Sequence, residues 1–212
     1  MSDLSDYRKS YEKHALREVE VDANPMMQFR KWFYEVESFG GIEEVNAMTV
    51  STIGLDGFPK SRVVLLKSYD EHGFVFYTNY NSEKGKAIEA HPELCLSFFW
   101  PSLERQVIVK GIATKVAAPI SDNYFDSRPE GSKLGAVVSP QSEVIPSYEF
   151  LEKELHKLEK STEQVHRPLH WGGYLIRPIS IEFWQGRPNR LHDRIRYSLE
   201  QEIDWKIERL AP

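Results

Sequence analysis

The residues best suited to chemistry lie in one stretch, Ile181-Glu182-Phe183-Trp184-Gln185-Gly186-Arg187-Pro188-Asn189-Arg190-Leu191-His192-Asp193-Arg194. Ile181 and Phe183 alternate as strand residues do, Gly186 and Pro188 signal a turn, and Arg190, His192 and Arg194 then recur at spacing two. In an extended chain that spacing puts all three side chains on one face, with Leu191 and Asp193 turned the other way. Two guanidiniums flanking an imidazole form a cationic row suited to an anion or an electron-rich ring. The same pattern fits a solvated edge strand with Asp193 as a local counter-charge. The segment alone leaves both readings open.

The rest of the chain must position this row. With 212 residues, 41% hydrophobic and 28% charged, it has the size and composition of one globular domain, and no apolar run is long enough to cross a bilayer. The first residues lack a basic start followed by an apolar core, so a cytoplasmic protein is expected. A net charge of −5 argues against a general nucleic-acid binder, and anion sites must therefore be local. The single cysteine, Cys95, excludes an internal disulfide; its setting in Leu94-Cys95-Leu96-Ser97-Phe98-Phe99 predicts a buried strand. His166 and His170 have a helical metal-pair spacing, but Pro168 between them denies that geometry, and no metal is expected.

Asn24-Pro25 predicts a helix start, with Phe29, Trp32, Phe33 and Val36 at helical spacing before Gly40-Gly41. Strands over 47–53, 61–67 and 74–78 predict a three-stranded meander, and a short helix over 82–91 precedes strands over 94–100 and 105–116. Short helices follow Pro119 and Gly131, and Phe150, Leu151, Leu155 and Leu158 mark an amphipathic helix. Strands near 173–176, 181–185, 192–197 and 205–210 complete the chain. Antiparallel strands without crossover helices predict a mainly β fold, a β-barrel with peripheral helices.

From Arg62-Val63-Val64-Leu65-Leu66-Lys67 and Tyr77-Thr78-Asn79 onward, the chain resembles the pyridoxamine 5′-phosphate oxidases. Further motifs follow in the family's order: Leu103-Glu104-Arg105-Gln106-Val107, Tyr124-Phe125-Asp126-Ser127-Arg128-Pro129, Gln141-Ser142, Trp171-Gly172-Gly173, Ile181 to Gly186, Arg190 to Arg194 and Arg209-Leu210-Ala211-Pro212. The resemblance runs from about Arg8 to the end and implies a homodimeric FMN-binding split β-barrel with two clefts between the subunits. It implies one domain over 1–212, a mobile arm over 1–20 and a C-terminal dimerisation and active-site region over 171–212. The implied reaction oxidises pyridoxamine 5′-phosphate or pyridoxine 5′-phosphate to pyridoxal 5′-phosphate through FMN, with dioxygen reduced to hydrogen peroxide. Another FMN oxidoreductase on this fold, such as a flavin reductase, or a non-catalytic FMN or pyridoxal phosphate carrier, is the alternative.

Carried over by position, the implied FMN contacts are Arg62, Val63, Val64, Leu65, Leu66, Lys67, Tyr77, Thr78, Lys84, Gln106, Gln141, Ser142, Trp184 and Arg194. The implied substrate contacts are Arg8, Tyr11, Lys67, Tyr124, Arg128, Ser132, Arg190 and His192, with Arg190 and His192 over the pyridine ring as the catalytic pair. The residue types suit these roles: Arg62 and Lys84 suit a phosphate, Gln106 and Gln141 a flavin's polar edge, and Lys67, Tyr124, Arg128 and Ser132 a second phosphate. One position departs from the family. Ser82-Glu83-Lys84 stands where Ser-Arg-Lys is usual, so an anion replaces a cation expected near the FMN phosphate. Either Glu83 points away from that phosphate or FMN is held less tightly.

Overall fold

Helix α1 (Pro25–Phe39) starts where Asn24 caps it: the Asn24 side chain accepts the Met26 N–H at 2.8 Å, and Pro25 fills a first-turn position that needs no donor. It ends at Gly40, whose φ of 76° is open to glycine and whose N–H donates to the Val36 carbonyl at 3.1 Å. The computed structural model describes residues 2–7, 9–162 and 164–212. Among these, four further α-helices follow: α2 (Glu83–Ala90), α3 (Ala118–Asp126), α4 (Glu130–Val138) and α5 (Tyr148–Glu159). The strands are β1 (Ala47–Ile53), β2 (Pro59–Leu65), β3 (Ser68–Asp70), β4 (Gly73–Asn79), β5 (Glu93–Trp100), β6 (Arg105–Lys115), β7 (Trp171–Gln185), β8 (Asp193–Glu200) and β9 (Asp204–Arg209). The fold is mainly β, as expected. Among the described residues no helix is long and apolar enough to cross a membrane.

Hydrogen bonding orders the strands β2-β1-β5-β6-β7-β4-β3, with β8 paired to β7 and β9 to β8. Two expectations change here. The meander breaks after β2: β4 pairs with β7 rather than β2, in the register Phe74↔Ile176, Phe76↔Tyr174 and Thr78↔Gly172. Phe74 and Phe76 are fully buried, and a strand this apolar takes an interior place with neighbours on both sides, leaving β3 to hold its outer edge. The two strands expected over 173–176 and 181–185 are one strand, β7, running through Pro178. Its pairing with β4 ends at Ile176 and its pairing with β8 begins at Ser180, so Pro178 falls between two ladders, where its missing N–H is tolerated. Cys95 lies on β5 as expected but is half-buried rather than buried, because Leu94, Leu96 and Phe98 take the inward positions.

The chain packs as two compact units. The first comprises the residues up to Thr49 with Cys95–Gly111 and Pro178–Pro212. Its core forms where Phe29, Trp32 and Val36 of α1 bury fully against strand aromatics: Phe29 meets Phe98 at 5.0 Å between ring centroids, and Trp32 meets Phe183 edge-on at 5.2 Å. Burying each such ring contributes roughly 1.5–3 kcal/mol. Beside them Arg105, only 5% exposed, donates to Gln185 at 3.0 Å and Glu35 at 2.5 Å, with its guanidinium 4.4 Å over Trp32. A buried charge is tolerable only when its donors are answered in this way.

The second unit comprises Val50–Leu94 and Ile112–Arg177. Ser82 begins α2 by accepting the Gly85 N–H at 3.2 Å while donating to the Asn79 carbonyl at 2.6 Å. Gly85 is required by close approach, since a Cβ there would lie 2.2 Å from the Tyr80 carbonyl oxygen. Backbone cannot yield as a flexible side chain can. Gly85→Ala is therefore expected to lower stability by about 1–3 kcal/mol. Gly135→Ala in α4, where a Cβ meets nothing within 4 Å, is expected to be neutral or to gain about 0.4–1 kcal/mol. Urea midpoints of the two variants, at unchanged slope, check the contrast.

Candidate active site

A cleft of about 580 Å³ opens in the second unit. The end of β2 and the residues after it bring Arg62, Val63, Val64, Leu65 and Lys67 to it, and β4 brings Tyr77 and Thr78. Lys84 comes from α2, Tyr124 from α3, Arg128 from the turn before α4, Ser132 from α4, and Gln141 and Ser142 from the segment after α4. Leu66 turns inward and is 4% exposed, so it joins the core rather than the cleft lining. Ser142 holds φ at 74°, a left-handed conformation uncommon for serine and of the kind that gathers at functional sites.

Among the described residues the lining contains four cations, Arg62, Lys67, Lys84 and Arg128, and no carboxylate. Lys84 Nζ donates to Thr78 Oγ1 at 2.9 Å and Gln141 Oε1 at 3.2 Å, both neutral acceptors. Burial, and after it the Arg62 charge, push the Lys84 pKa down, with Glu83 acting the other way. Arg128 lies over the Trp171 ring at 4.7 Å, and its buried Nη1 has no hydrogen-bond partner among the described residues. Burial lowers its pKa as well, though a guanidinium remains charged. Tyr77 stacks on Tyr124 at 3.9 Å with 20° between planes, and Trp171 stacks beside both rings. That stack fixes where the Tyr124 hydroxyl and the Arg128 guanidinium can lie.

Glu83 is absent from the cleft lining. Its carboxylate takes Arg62 at 2.6 Å and Lys60 at 3.3 Å, a half-exposed pair of the kind worth under about 1 kcal/mol. An anion entering the cleft competes with Glu83 for Arg62.

The remaining residues singled out in the sequence lie in the first unit, apart from Arg8, which is outside the described residues. Arg190, His192 and Arg194 do not share a strand face. Pro188–Arg190 form a 3-10 turn in which Asn189 and Arg190 take φ of 55° and 61°, and β8 begins only at Asp193. The backbone reversal therefore sends the three side chains to different partners. Arg190 is exposed. His192 lies against Trp184 at 4.7 Å and Tyr11 at 5.8 Å, and its Nδ1 accepts the Arg187 N–H at 3.1 Å. Burial and the Arg190 charge lower the His192 pKa, and Asp193 opposes them. Arg194 donates twice to Glu182, at 2.7 and 3.1 Å. Gln106 donates to Ser97 at 3.1 Å.

Tyr11 reaches this cluster because Gly186 leaves room for it: a Cβ at 186 would stand 2.7 Å from the Tyr11 ring. Neighbouring arm residues are tied down too. The Lys13 N–H donates to Glu104 at 3.1 Å, the Leu16 N–H to Asp193 at 3.0 Å, and Arg187 to the His14 carbonyl at 3.0 Å. Trp171 and Asn79 also line the cleft, beyond the residues that the resemblance implied, although both fall inside the motifs that carry it. Their signal was the motif itself, since a tryptophan beside two glycines also suits a plain core position.

Comparison with known proteins bears on these sites. The family model described as pyridoxamine 5′-phosphate oxidase matches residues 35–161, and the model described as the pyridoxine 5′-phosphate oxidase C-terminal dimerisation region matches 171–212. A Flavobacterium johnsoniae protein named pyridoxine/pyridoxamine 5′-phosphate oxidase is 68% identical, with all of both chains covered. Among solved structures, PhzG from Burkholderia lata, in complex with tetrahydrophenazine-1-carboxylic acid, superimposes with a TM-score of 0.88 at 24% identity, covering 96% of this chain and 100% of that one. A Nostoc punctiforme protein described as pyridoxamine 5′-phosphate oxidase-related and FMN-binding gives 0.71 at 15% identity, covering 87% and 97%. These two likenesses show the fold, the split β-barrel that the sequence resemblance implied. With one family model spanning more than half its length and a full-length relative at 68% identity, the chain belongs to the pyridoxine/pyridoxamine 5′-phosphate oxidase family of oxidoreductases.

Proposed function

We propose that this chain is an FMN-dependent oxidase that converts pyridoxamine 5′-phosphate and pyridoxine 5′-phosphate to pyridoxal 5′-phosphate, with dioxygen as the electron acceptor and hydrogen peroxide as the second product. The observation that carries this reading is the cleft lined, among the described residues, by four cations and no carboxylate. Cations gathered without internal counter-charge repel one another and lose hydration, a cost that bound anions offset. FMN and the substrate each bring a phosphate. The names of the relatives, and the FMN-binding description of the Nostoc punctiforme neighbour, support the same ligands.

The residues present fit FMN. Lys84 has no carboxylate partner in its hydrogen bonds, and with Thr78, Gln141 and Ser142 it offers the mixed cationic and neutral donors that a phosphate and a flavin's polar edge require. Arg62 joins them once it leaves Glu83. When bound, FMN supplies the two-electron acceptor chemistry that no side chain provides. Lys67, Tyr124, Arg128 and Ser132 hold the substrate phosphate, with the unanswered Arg128 Nη1 as the strongest point of attraction. Anchoring the phosphate orients the reacting carbon and excludes unproductive poses.

Trp184, Gln106, Arg194, Arg190 and His192 complete the site in the homodimer, to which the dimerisation-region match over 171–212 lends support. Trp184 offers apolar surface to the flavin, Gln106 and Arg194 bind it, and Arg190 and His192 cover the pyridine ring. Glu182 holds the Arg194 guanidinium with two hydrogen bonds, so Arg194 meets the cofactor as an oriented donor rather than a freely rotating one.

Purified yellow protein mixed with pyridoxamine 5′-phosphate in air is expected to form pyridoxal phosphate absorbance and peroxide together. Peroxide without pyridoxal phosphate would point to another FMN oxidoreductase, and retained FMN with neither product to a carrier. Arg128→Met is expected to raise the substrate KM by roughly tenfold or more, the worth of a charge-assisted hydrogen bond, while FMN content stays at the wild-type level. Loss of FMN instead would move Arg128 to the cofactor. Glu83→Arg frees Arg62 and adds a cation beside it, so the FMN Kd at low salt is expected to fall about tenfold. An unchanged Kd would show that the Glu83 pair never competes with the cofactor.

A further inference from the structure

The imidazole of His192 has two nitrogens, and only one is open to a ligand. On one side, the Arg187 main-chain N–H donates to Nδ1 at 3.1 Å. This contact is built by the local backbone. The Pro188–Arg190 turn, with its two left-handed residues and the Leu191 N–H donating to the Pro188 carbonyl at 3.1 Å, folds the chain back until residue 192 faces residue 187. The ring is then held in place, 4.7 Å from Trp184 and 5.8 Å from Tyr11 between centroids. Turning the ring over would set a C–H against the Arg187 N–H and leave that donor unanswered. On the other side, Nε2 has no hydrogen-bond partner among the described residues.

An N–H donor at Nδ1 decides which tautomer of the neutral ring is stable. Nδ1 must present its lone pair, so the proton sits on Nε2. A ring protonated at Nδ1 would place two donors face to face at 3.1 Å and lose the hydrogen bond that holds the turn. A general base acting through Nε2 needs the opposite arrangement, a bare Nε2 and a protonated Nδ1.

We infer that His192 serves the reaction as a hydrogen-bond donor through Nε2–H to an oxygen acceptor on the bound substrate, and that the Arg187 main chain bars it from accepting the substrate's proton. The inference rests on the function proposed above and on the place of His192 at the substrate. Oxidation of the alcohol removes a hydride from carbon, whose electron pair bound FMN would accept, and a proton from oxygen. With Nε2 already carrying hydrogen, that proton goes to water. Arg187 is in this respect a positioning residue, acting by its backbone rather than its guanidinium. The charged side chains that act on the ring, Arg190 and Asp193, lie within two residues of it and have opposite effects on its protonation.

The test uses the FMN-loaded protein with nitrogen-15 histidine, the His192 signals being those missing from His192→Gln. A protonated Nε2 with a bare Nδ1 is expected at neutral pH; a protonated Nδ1 would overturn the inference without touching the proposed function. Anaerobic single-turnover reduction by pyridoxine 5′-phosphate gives the second readout. Glutamine keeps an N–H donor near the Nε2 position and cannot act as a base, so His192→Gln is expected to stay within about threefold of wild type, whereas His192→Ala falls about tenfold. Glutamine as slow as alanine would overturn the donor role. A wild-type protein that leaves both phosphorylated substrates unchanged overturns the function itself and the role of His192 within it, and the nitrogen-15 pattern separates that failure from a wrong tautomer.

Discussion

Uncompensated positive charge organises the second unit. Arg62, Lys67, Lys84 and Arg128 face one cleft whose lining, among the described residues, holds no carboxylate, and three of them, Lys84, Arg128 and Arg62, are held by different local devices. Lys84 rests on the hydroxyl of Thr78 and the amide of Gln141, which accept hydrogen bonds without neutralising it. Arg128 sits over the face of Trp171, where the ring quadrupole favours a cation yet leaves its N–H groups free to donate elsewhere. Among the described residues Arg62 alone of the four has a carboxylate partner, Glu83, which lies outside the cleft lining and half in solvent. Glu83 holds Arg62 and Lys60 from outside that lining, in a half-exposed and therefore weak pair.

Close backbone approach makes this charge arrangement possible. Gly85 lets α2 start against the Tyr80 carbonyl, which sets Lys84 one residue from a fixed point. Gly172 and Gly173 let β7 pass Tyr80, Ser121 and Tyr77 at distances no Cβ would allow. The Gly173 N–H is answered by Ser121 at 3.1 Å, and its carbonyl accepts the Tyr80 hydroxyl at 3.1 Å, so α3 is tied to β7 beside the aromatic stack. The stack of Tyr77, Tyr124 and Trp171 then positions the Tyr124 hydroxyl and, over Trp171, the Arg128 guanidinium. Residues with no chemistry of their own thus decide where the charged ones lie.

In the first unit buried polar groups play the organising part. Arg105 and Gln185 share a hydrogen bond at 3.0 Å, and the Gln185 amide donates to the Leu103 and Glu104 carbonyls at 3.1 and 3.2 Å. This network fixes the end of β7, from which the 187–192 turn departs. Glu104, buried and at φ 58°, spends its carboxylate on the Lys13 N–H, and Asp193 spends one oxygen on the Leu16 N–H and the other on Arg209. The arm around Tyr11 is therefore tied by ordinary hydrogen bonds to the same segments that carry Trp184 and His192. Such ties to backbone N–H groups are modest singly, about 1 kcal/mol each, and can be exchanged without disturbing the core.

The sequence by itself determined the local elements and the inventory of the site. Asn24-Pro25 and Gly40 bound α1 because capping is a property of a few adjacent residues, and β1, β5 and β6 follow from side-chain alternation. Ordered motifs from Arg62 to Arg194 marked the family, and thirteen of the residues they indicated meet in one cleft. What the sequence could not decide was partnership between distant segments. Periodicity says which face of β4 is apolar but not that β7 rather than β2 will cover its edge, and it reads Pro178 as a break although two ladders change over there. Spacing two put Arg190, His192 and Arg194 on one face only if the chain stayed extended. Arg190 takes a left-handed conformation that nothing in an arginine's chemistry announces, and the turn it closes brings a backbone N–H to His192. The sequence therefore determined which groups are present, while the tertiary structure decided which of their atoms remain open, because a hydrogen bond made across space consumes a donor or acceptor that sequence alone counts as free.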